Sequence, residues 1–227
     1  MYAWRRSRLE LRRRWWRRRA APGPLRACLA APLPDLAADW RALEYLVLDF
    51  ETTGVDAGRH ELLSVGYVEI VHQAVRLDRA HHRLIRPQRT LPAGSVLLHR
   101  ITDDLAAAGG PAAEVLGELL AALTGRVLVG HHVATELGFL SRACRALYGA
   151  PFVGPAIDTL ALEAAALRRA GRQPQRGELR LGGARARRGL PRYRAHHALS
   201  DAVATAELFL AQATDLGAPR LGQLLVP

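Results

Sequence analysis

Tyr45-Leu46-Val47-Leu48-Asp49-Phe50-Glu51-Thr52-Thr53-Gly54 is a short apolar run of strand formers that ends abruptly in two carboxylates and a turn. Along a strand the side chains alternate, so Asp49 and Glu51 share one face and Phe50 takes the other. Two carboxylates that close repel each other and call for a cation between them. Oxygen ligands of this hardness suit Mg²⁺ or Mn²⁺ rather than Zn²⁺. Thr-Thr-Gly behind them demands a sharp turn where the acids sit. Acids that only cap that turn are the plainer alternative.

Outward from this strand, Leu62–Val71 and Ala74–Ile85 also read as strands, the second alternating polar and apolar residues. Gly110–Leu123 is helical, with Val115, Leu116, Leu119, Leu120 and Leu123 as its apolar stripe. Arg126–Val129 is a short buried strand running into a helix from about His132, and another helix covers Leu160–Arg169. Gly171–Gly189, rich in Arg and Gly, reads as an exposed loop, and the last strong helix spans Ala198–Ala213. Strands first in a meander, then alternating with helices, imply an α/β fold: a mixed sheet with helices on both faces.

At 227 residues and 49% hydrophobic content the chain can bury one α/β domain with a short appendage. The expected division is a basic Arg/Trp-rich arm at 1–20, a Pro/Ala-rich linker at 21–39, a catalytic domain at 40–213 and a tail at 214–227. No stretch approaches the ~18 consecutive apolar residues of a membrane span. The first twenty residues lack the apolar core of a secretory signal. Cys28 and Cys144 are too few for a disulfide framework, which points to a reducing cytosol and a cytoplasmic protein.

All 32 basic residues are Arg, and the net charge of +11 is unevenly placed. Residues 1–20 hold nine Arg and one Glu, or +8, leaving +3 for the remainder. This segment has three readings: a solvated basic arm, a phosphate-gripping arm with Trp4, Trp15 and Trp16 free to stack on bases, or a helix lying on anionic lipid. The sequence does not choose among them.

Three more positions carry chemistry. Asp201 falls in the first turns of the last helix, followed by Ala202, Ala204 and Ala206, small residues that permit close packing on the sheet. A carboxylate there is costly unless paired or bound to metal. His196, just before that helix, can take a proton from water at neutral pH, whereas His197 reads as an exposed neighbour. Glu136 projects from the helix after Gly130-His131-His132. A zinc site from His132 and Glu136 lacks a third ligand.

Together these segments resemble the DnaQ-like 3′–5′ exonucleases, the DEDDh branch that includes the proofreading epsilon subunit of DNA polymerase III. The first motif matches as LDFETTG, the third as His196-x-Ala198-x-x-Asp201, and a further signature as Leu98-His99-Arg100-Ile101-Thr102. The likeness runs from Tyr45 to Leu210. It implies a ribonuclease H-like, five-stranded mixed sheet. It also implies two divalent cations, Mg²⁺ or Mn²⁺, held by Asp49, Glu51, Glu136 and Asp201, with His196 as the base for the attacking water. Thr53, Gly54, His99 and Ile101 would seat the last nucleotide, with Phe139 walling the pocket. Arginines of the 172–194 loop would hold phosphates. Asp158-Thr159-Leu160 resembles a family segment considered structural, so Asp158 stays outside the site.

The second motif departs from the family, which has His-Asn and then Phe-Asp where this chain has His131-His132 and Thr135-Glu136. No Asp lies between Asp104 and Asp158, which makes Glu136 the stand-in, one methylene longer. The implied activity releases 5′-mononucleotides from single-stranded or frayed DNA 3′ ends, in proofreading or repair. RNA trimming and a catalytically weak nucleic-acid-binding adaptor are the alternatives. As partners the resemblance suggests a DNA polymerase, and the Gln223-Leu224-Leu225-Val226-Pro227 tail loosely resembles a sliding-clamp peptide.

Overall fold

The computed structural model describes residues 2–88, 102–193, 196–217 and 219–226. Two helices lead the chain, α1 (Tyr2–Arg19) and α2 (Pro24–Ala30), and a 3-10 turn at Trp40–Ala42 delivers it into β1 (Tyr45–Thr52). β2 (Leu62–Val71) and β3 (Ala74–Leu84) follow as an antiparallel meander. Next come α3 (Asp103–Ala107), α4 (Ala112–Leu123), β4 (Val127–Gly130), α5 (Ala134–Tyr148) and β5 (Ala156–Asp158). The chain continues through α6 (Thr159–Arg169), α7 (Leu181–Ala186), α8 (Ala198–Asp215) and α9 (Leu221–Leu224). The five strands form one sheet in the order β3-β2-β1-β4-β5, with β4 and β5 parallel to β1. This is the mixed, five-stranded α/β sheet that the sequence pattern implies.

β1 lies at the centre, and its alternation divides the core. Leu46, Leu48 and Phe50 pack with Leu116 and Leu120 of α4 and Phe139 and Leu140 of α5. Tyr45 and Val47 turn the other way, against Val68, Ile70 and Val129 of the sheet and Phe209 of α8. Asp49 and Glu51 continue the second series and therefore head for the α8 side. All ten residues of β2 are buried, while β3 is the outer strand and carries Arg76, Asp78, Arg79, His81, His82 and Arg83. Charged side chains on such a strand discourage pairing with another chain.

Several segments differ from their sequence reading. Residues 21–39, expected as linker, contain α2, whose Leu25, Cys28 and Leu29 are buried. Pro and Ala gave a linker-like composition, but Pro24 occupies the first turn of α2, where its missing N–H costs nothing. The Arg/Trp segment is one continuous helix docked on the body. Buried Arg13 donates to the carbonyls of Cys28 (2.7 Å), Ala31 (2.9 Å) and Val153 (3.4 Å). The tail is tied down too: Leu221 and Leu224 are buried, Leu225 bridges to Ile157, and the Val226 N–H donates to Ala156 O.

The Arg- and Gly-rich stretch expected as an exposed loop holds α7 and two buried ion-pair clusters. Arg185, 3% exposed, pairs with Glu207 at 2.7 Å. Fully buried Glu163 is shared by Arg187 and Arg188 and accepts from Gln212. Composition registers the charges but not their partners.

The β2–β3 hairpin turns on His72 and Gln73, both in the left-handed region (φ 51° and 62°). Two-residue hairpins with positive φ at both positions favour Asn-Gly, and other residues hold that conformation at a cost of ~1 kcal/mol or more. Replacing His72-Gln73 by Asn-Gly is expected to raise the melting temperature by roughly 2–5 °C, measurable by calorimetry, with the strand register unchanged.

Candidate active site

β1 ends at the site. A register shift between Glu51 and Thr52 breaks its ladder with β2 just past the acids. Such a bulge bends the strand where a side chain must be aimed. The turn beyond it is tightly sewn: Thr53 N–H donates to Glu61 O at 3.0 Å, and Glu61 N–H donates to Thr53 Oγ1 at 3.0 Å.

The second element is the start of α8. Gly66 of β2 pairs with Asp49, and a Cβ on Gly66 would overlap the backbone of Ala198 and Leu199. The absent side chain lets the first turn of α8 lie directly on the sheet. Ala198, Ala202 and Ala206 are fully buried there. Asp201 is thereby brought to the β1 acids: one carboxylate oxygen each from Asp49, Glu51 and Asp201 lies within 4.8 Å of the others. Among the described residues this is the one group of three or more side chains suited to hold a metal ion.

α5 supplies the fourth acid. Glu136 sits in its first turn, 5% exposed, with Oε2 buried and lacking a hydrogen-bond partner. It stands beside Asp49 without joining the tight group of three. Burial pushes its carboxyl up to about 8, and Asp158 adds to the rise. The Asp49 carboxyl is held well above the usual carboxylate range, first by burial and then by the charges of Glu136, Glu51 and Asp201. Asp201 is also raised, chiefly by burial, although the His196 N–H donates to its Oδ2 at 2.8 Å. Crowded, desolvated carboxylates with an unsatisfied oxygen fit a divalent cation held by Asp49, Glu51 and Asp201, with Glu136 in reserve behind Asp49.

The histidines divide by role. His196 is exposed, adopts a left-handed backbone (φ 68°) and lines the cleft with Asp49 and Asp201. His197 caps α8, with Nδ1 accepting from the Ser200 N–H, and stacks on His82 at 4.5 Å. His131 is structural. Its Nε2 lies 2.9 Å from Leu179 O, which can only accept, so Nε2 carries the proton. Burial lowers its basicity, and Nδ1 accepts from Thr159 Oγ1 at 2.8 Å. His132 (φ 69°) donates its N–H to Asp158 Oδ1, which also caps α6 through the Leu160 N–H. Asp158 therefore fixes the turn that leads into α5.

The cleft has a volume of about 1370 Å³. One wall holds Asp49, His131 and His132, and the other is the 174–193 segment with Arg176, Arg180, Arg192 and Tyr193. Thr53 and Gly54 follow the bulge but are not among its lining residues. Phe139, expected to wall the pocket, is instead buried in the core at 2% exposure. One turn of helix separates it from Glu136, and the turn points it at the sheet. The expectations for His99 and Ile101 lie outside the described residues.

Sequence reasoning missed Gly66 and His82. A glycine inside a strand otherwise made mostly of bulky apolar residues was the available signal for Gly66. Nothing in the sequence pattern singled out His82, which only strand register and the stack on His197 bring to the site.

Residues 46–209 match a family model described as exonuclease, RNase_T. Among curated proteins, a PolC-type DNA polymerase III of Thermotoga petrophila is 32% identical over 73% of this chain and 12% of its own length. A DNA polymerase III subunit epsilon-like protein of Rhodobacter capsulatus is 35% identical over 74% of this chain and 23% of its own. The chain thus spans less than a quarter of the length of these two relatives. Among solved structures, the nuclease domain of 3′hExo, a DEDDh family member bound to rAMP, superposes with a TM-score of 0.65. It covers 80% of this chain and 96% of that one at 18% identity, a likeness of fold.

Two outcomes test the geometry. Gly66→Val is expected to push α8 off β2, part Asp201 from Asp49 and Glu51, and weaken Mg²⁺ binding at the three acids by about 100-fold, read by calorimetric titration. The fold should survive, at a loss of ~1–3 kcal/mol, with circular dichroism as the check. The second concerns pH. A carboxyl raised in the folded state stabilises below its ordinary range, and that contribution is lost as the pH climbs from about 4.5 to about 8. In metal-free protein at pH 8.5, Glu136→Gln should therefore raise the melting temperature by roughly 5 °C. At pH 4 the two proteins should melt together, and excess Mg²⁺ should shrink the difference at pH 8.5.

Proposed function

As this chain belongs to the RNase_T exonuclease family, we propose that it is a 3′–5′ exonuclease of the DEDDh type that hydrolyses single-stranded or frayed DNA ends to 5′-mononucleotides. The observation that carries the reading is the convergence of Asp49, Glu51 and Asp201, with Glu136 behind them, at one end of an open cleft.

Asp49, Glu51 and Asp201 would hold the divalent cations, Mg²⁺ or Mn²⁺, with Glu136 anchoring the second through Asp49's side. When bound, these cations supply Lewis-acid stabilisation of the charge on the attacking and leaving oxygens. The chain's own residues do the rest. Arg176, Arg180 and Arg192 face the strand's phosphates from the far wall of the cleft. His196, tethered to Asp201 through its backbone, presents its imidazole at the rim and accepts the proton of the attacking water. The site is recessed below the 174–193 segment, so a terminal nucleotide must be unpaired to enter. Thr53 and Gly54 are assigned to its seating by their place just after the acids.

The DNA preference rests on the polymerase III relatives, and association with a polymerase is proposed on the same ground, with a cytoplasmic location. Among the described residues no helix is long and apolar enough to cross a membrane. A clamp contact through Gln223–Val226 would require these residues to leave the β5 margin. RNA is the second reading, supported by the rAMP bound to the related nuclease domain.

Digestion of 5′-labelled DNA and RNA of one sequence with Mg²⁺ or Mn²⁺ decides between them. DNA is expected to be shortened stepwise and faster than RNA. Asp49→Ala or Asp201→Ala should abolish this while the protein remains folded, and full activity in either variant would overturn the site.

A further inference from the structure

We propose that the outer face of α1 is a second nucleic-acid surface, which holds the body of a strand whose 3′ end occupies the cleft. The inference rests on the nuclease reading for the identity of the polyanion and for the placing of its 3′ end. α1 is fixed on the body by buried Arg13, so the direction its other side chains face is set by the fold. Around the solvent side stand Arg8, Arg12, Arg14, Arg17 and Arg18, all exposed and none within ion-pair distance of a carboxylate among the described residues. Arg8 and Arg12, and Arg14 and Arg18, are like charges one helical turn apart, an arrangement that destabilises an isolated helix. Phosphates along the face would relieve that repulsion.

The aromatic residues lie within the same face. Trp4 and Trp15 are 66% and 46% exposed. An arginine attends each ring, with Arg8 5.6 Å from the Trp4 centre and Arg19 3.5 Å from that of Trp15. Interleaved guanidinium groups and partly exposed indoles are what a single strand needs: phosphate contacts that do not read sequence, and flat surfaces on which bases stack. A lipid surface asks for a broad apolar face segregated from the charges. Here Trp4, Leu11 and Trp15 form a strip one residue wide with arginines on both flanks, which favours the strand.

Position supports the same reading. A second cleft, about 490 Å³, runs between Arg5, Arg8 and Arg12 of α1 and Leu137 and Ser141 of α5. Leu137 follows Glu136 in α5, so the helix that supplies the fourth acid also forms a wall of this cleft.

The test compares the full chain with a variant carrying Arg8→Gln, Arg12→Gln, Arg14→Gln and Arg18→Gln. For binding, both also carry Asp49→Ala so that the probe is not consumed. Fluorescence anisotropy with a labelled 30-nucleotide oligo(dT) across a NaCl series is expected to show at least a tenfold loss of affinity in the variant. The slope of log affinity against log salt should fall by about 2–3, near 0.7 for each lost phosphate contact. With Asp49 intact, the variant should cut a trinucleotide at the unaltered rate but a 30-mer more slowly. An unchanged slope, or equal losses on both substrates, would overturn the proposal. So would α1-dependent binding to phosphatidylglycerol vesicles that exceeds binding to the oligonucleotide. If the unaltered protein cuts no strand yet binds the 30-mer through these arginines, the nuclease reading fails and the surface stands.

Discussion

Four carboxylates of like charge, drawn from a strand and two helices, are forced into one desolvated corner, and the fold is arranged to tolerate this. Burial raises the carboxyls of Asp49, Glu136 and Asp201, and repulsion within the cluster adds to the rise at Asp49 and Asp201. It is sustained by packing that the acids do not control: Phe50 and Leu48 anchored in one core, Tyr45 and Val47 in the other, and α8 pressed against β2 at Gly66. A corner of this kind is pre-organised for multivalent cations, because the energy of assembling the ligands has already been met by burial elsewhere in the molecule.

The 172–193 segment shows how the opposite wall is held. Its arginines are not interchangeable. Arg185, Arg187 and Arg188 are committed to Glu207 and Glu163, which pins the segment to α6 and α8. Arg176, Arg180 and Arg192 remain turned to the cleft. Buried ion pairs of this sort contribute less to stability than to fixing a single arrangement. Here the arrangement fixed is the approach to His196.

Much of the fold was legible because the decisive signals are local. Strand period placed Asp49 and Glu51 on one face, an apolar stripe identified α4, the last strong helix was read at α8, and the order of elements implied the mixed sheet. The boundaries of α6 and β3 came within a residue or so. What escaped depends on partners distant in the chain. Pro/Ala composition concealed that Leu25, Cys28 and Leu29 belong to the core. The Arg-rich stretch gave no sign that Glu163, nearer the middle of the chain, would neutralise it. Phe139 could be placed on α5 from sequence, but not which way α5 rolls against the sheet. Gly66 was readable as an irregularity, while its meaning required knowing that α8 crosses β2 at that point.

The last residues of the sheet's β5 side have a consequence for how the protein keeps to itself. β5 is three residues long and would leave a row of unpaired amides and carbonyls, but Leu225 and Val226 lie along it and bond to it. At the other margin β3 is studded with charge. Both flanks of the sheet are thereby denied to foreign strands, one by occupancy and one by electrostatic repulsion, so that self-association into stacked aggregates is blocked at either end. Colloidal stability in this molecule thus depends on a short closing segment as much as on its surface charge.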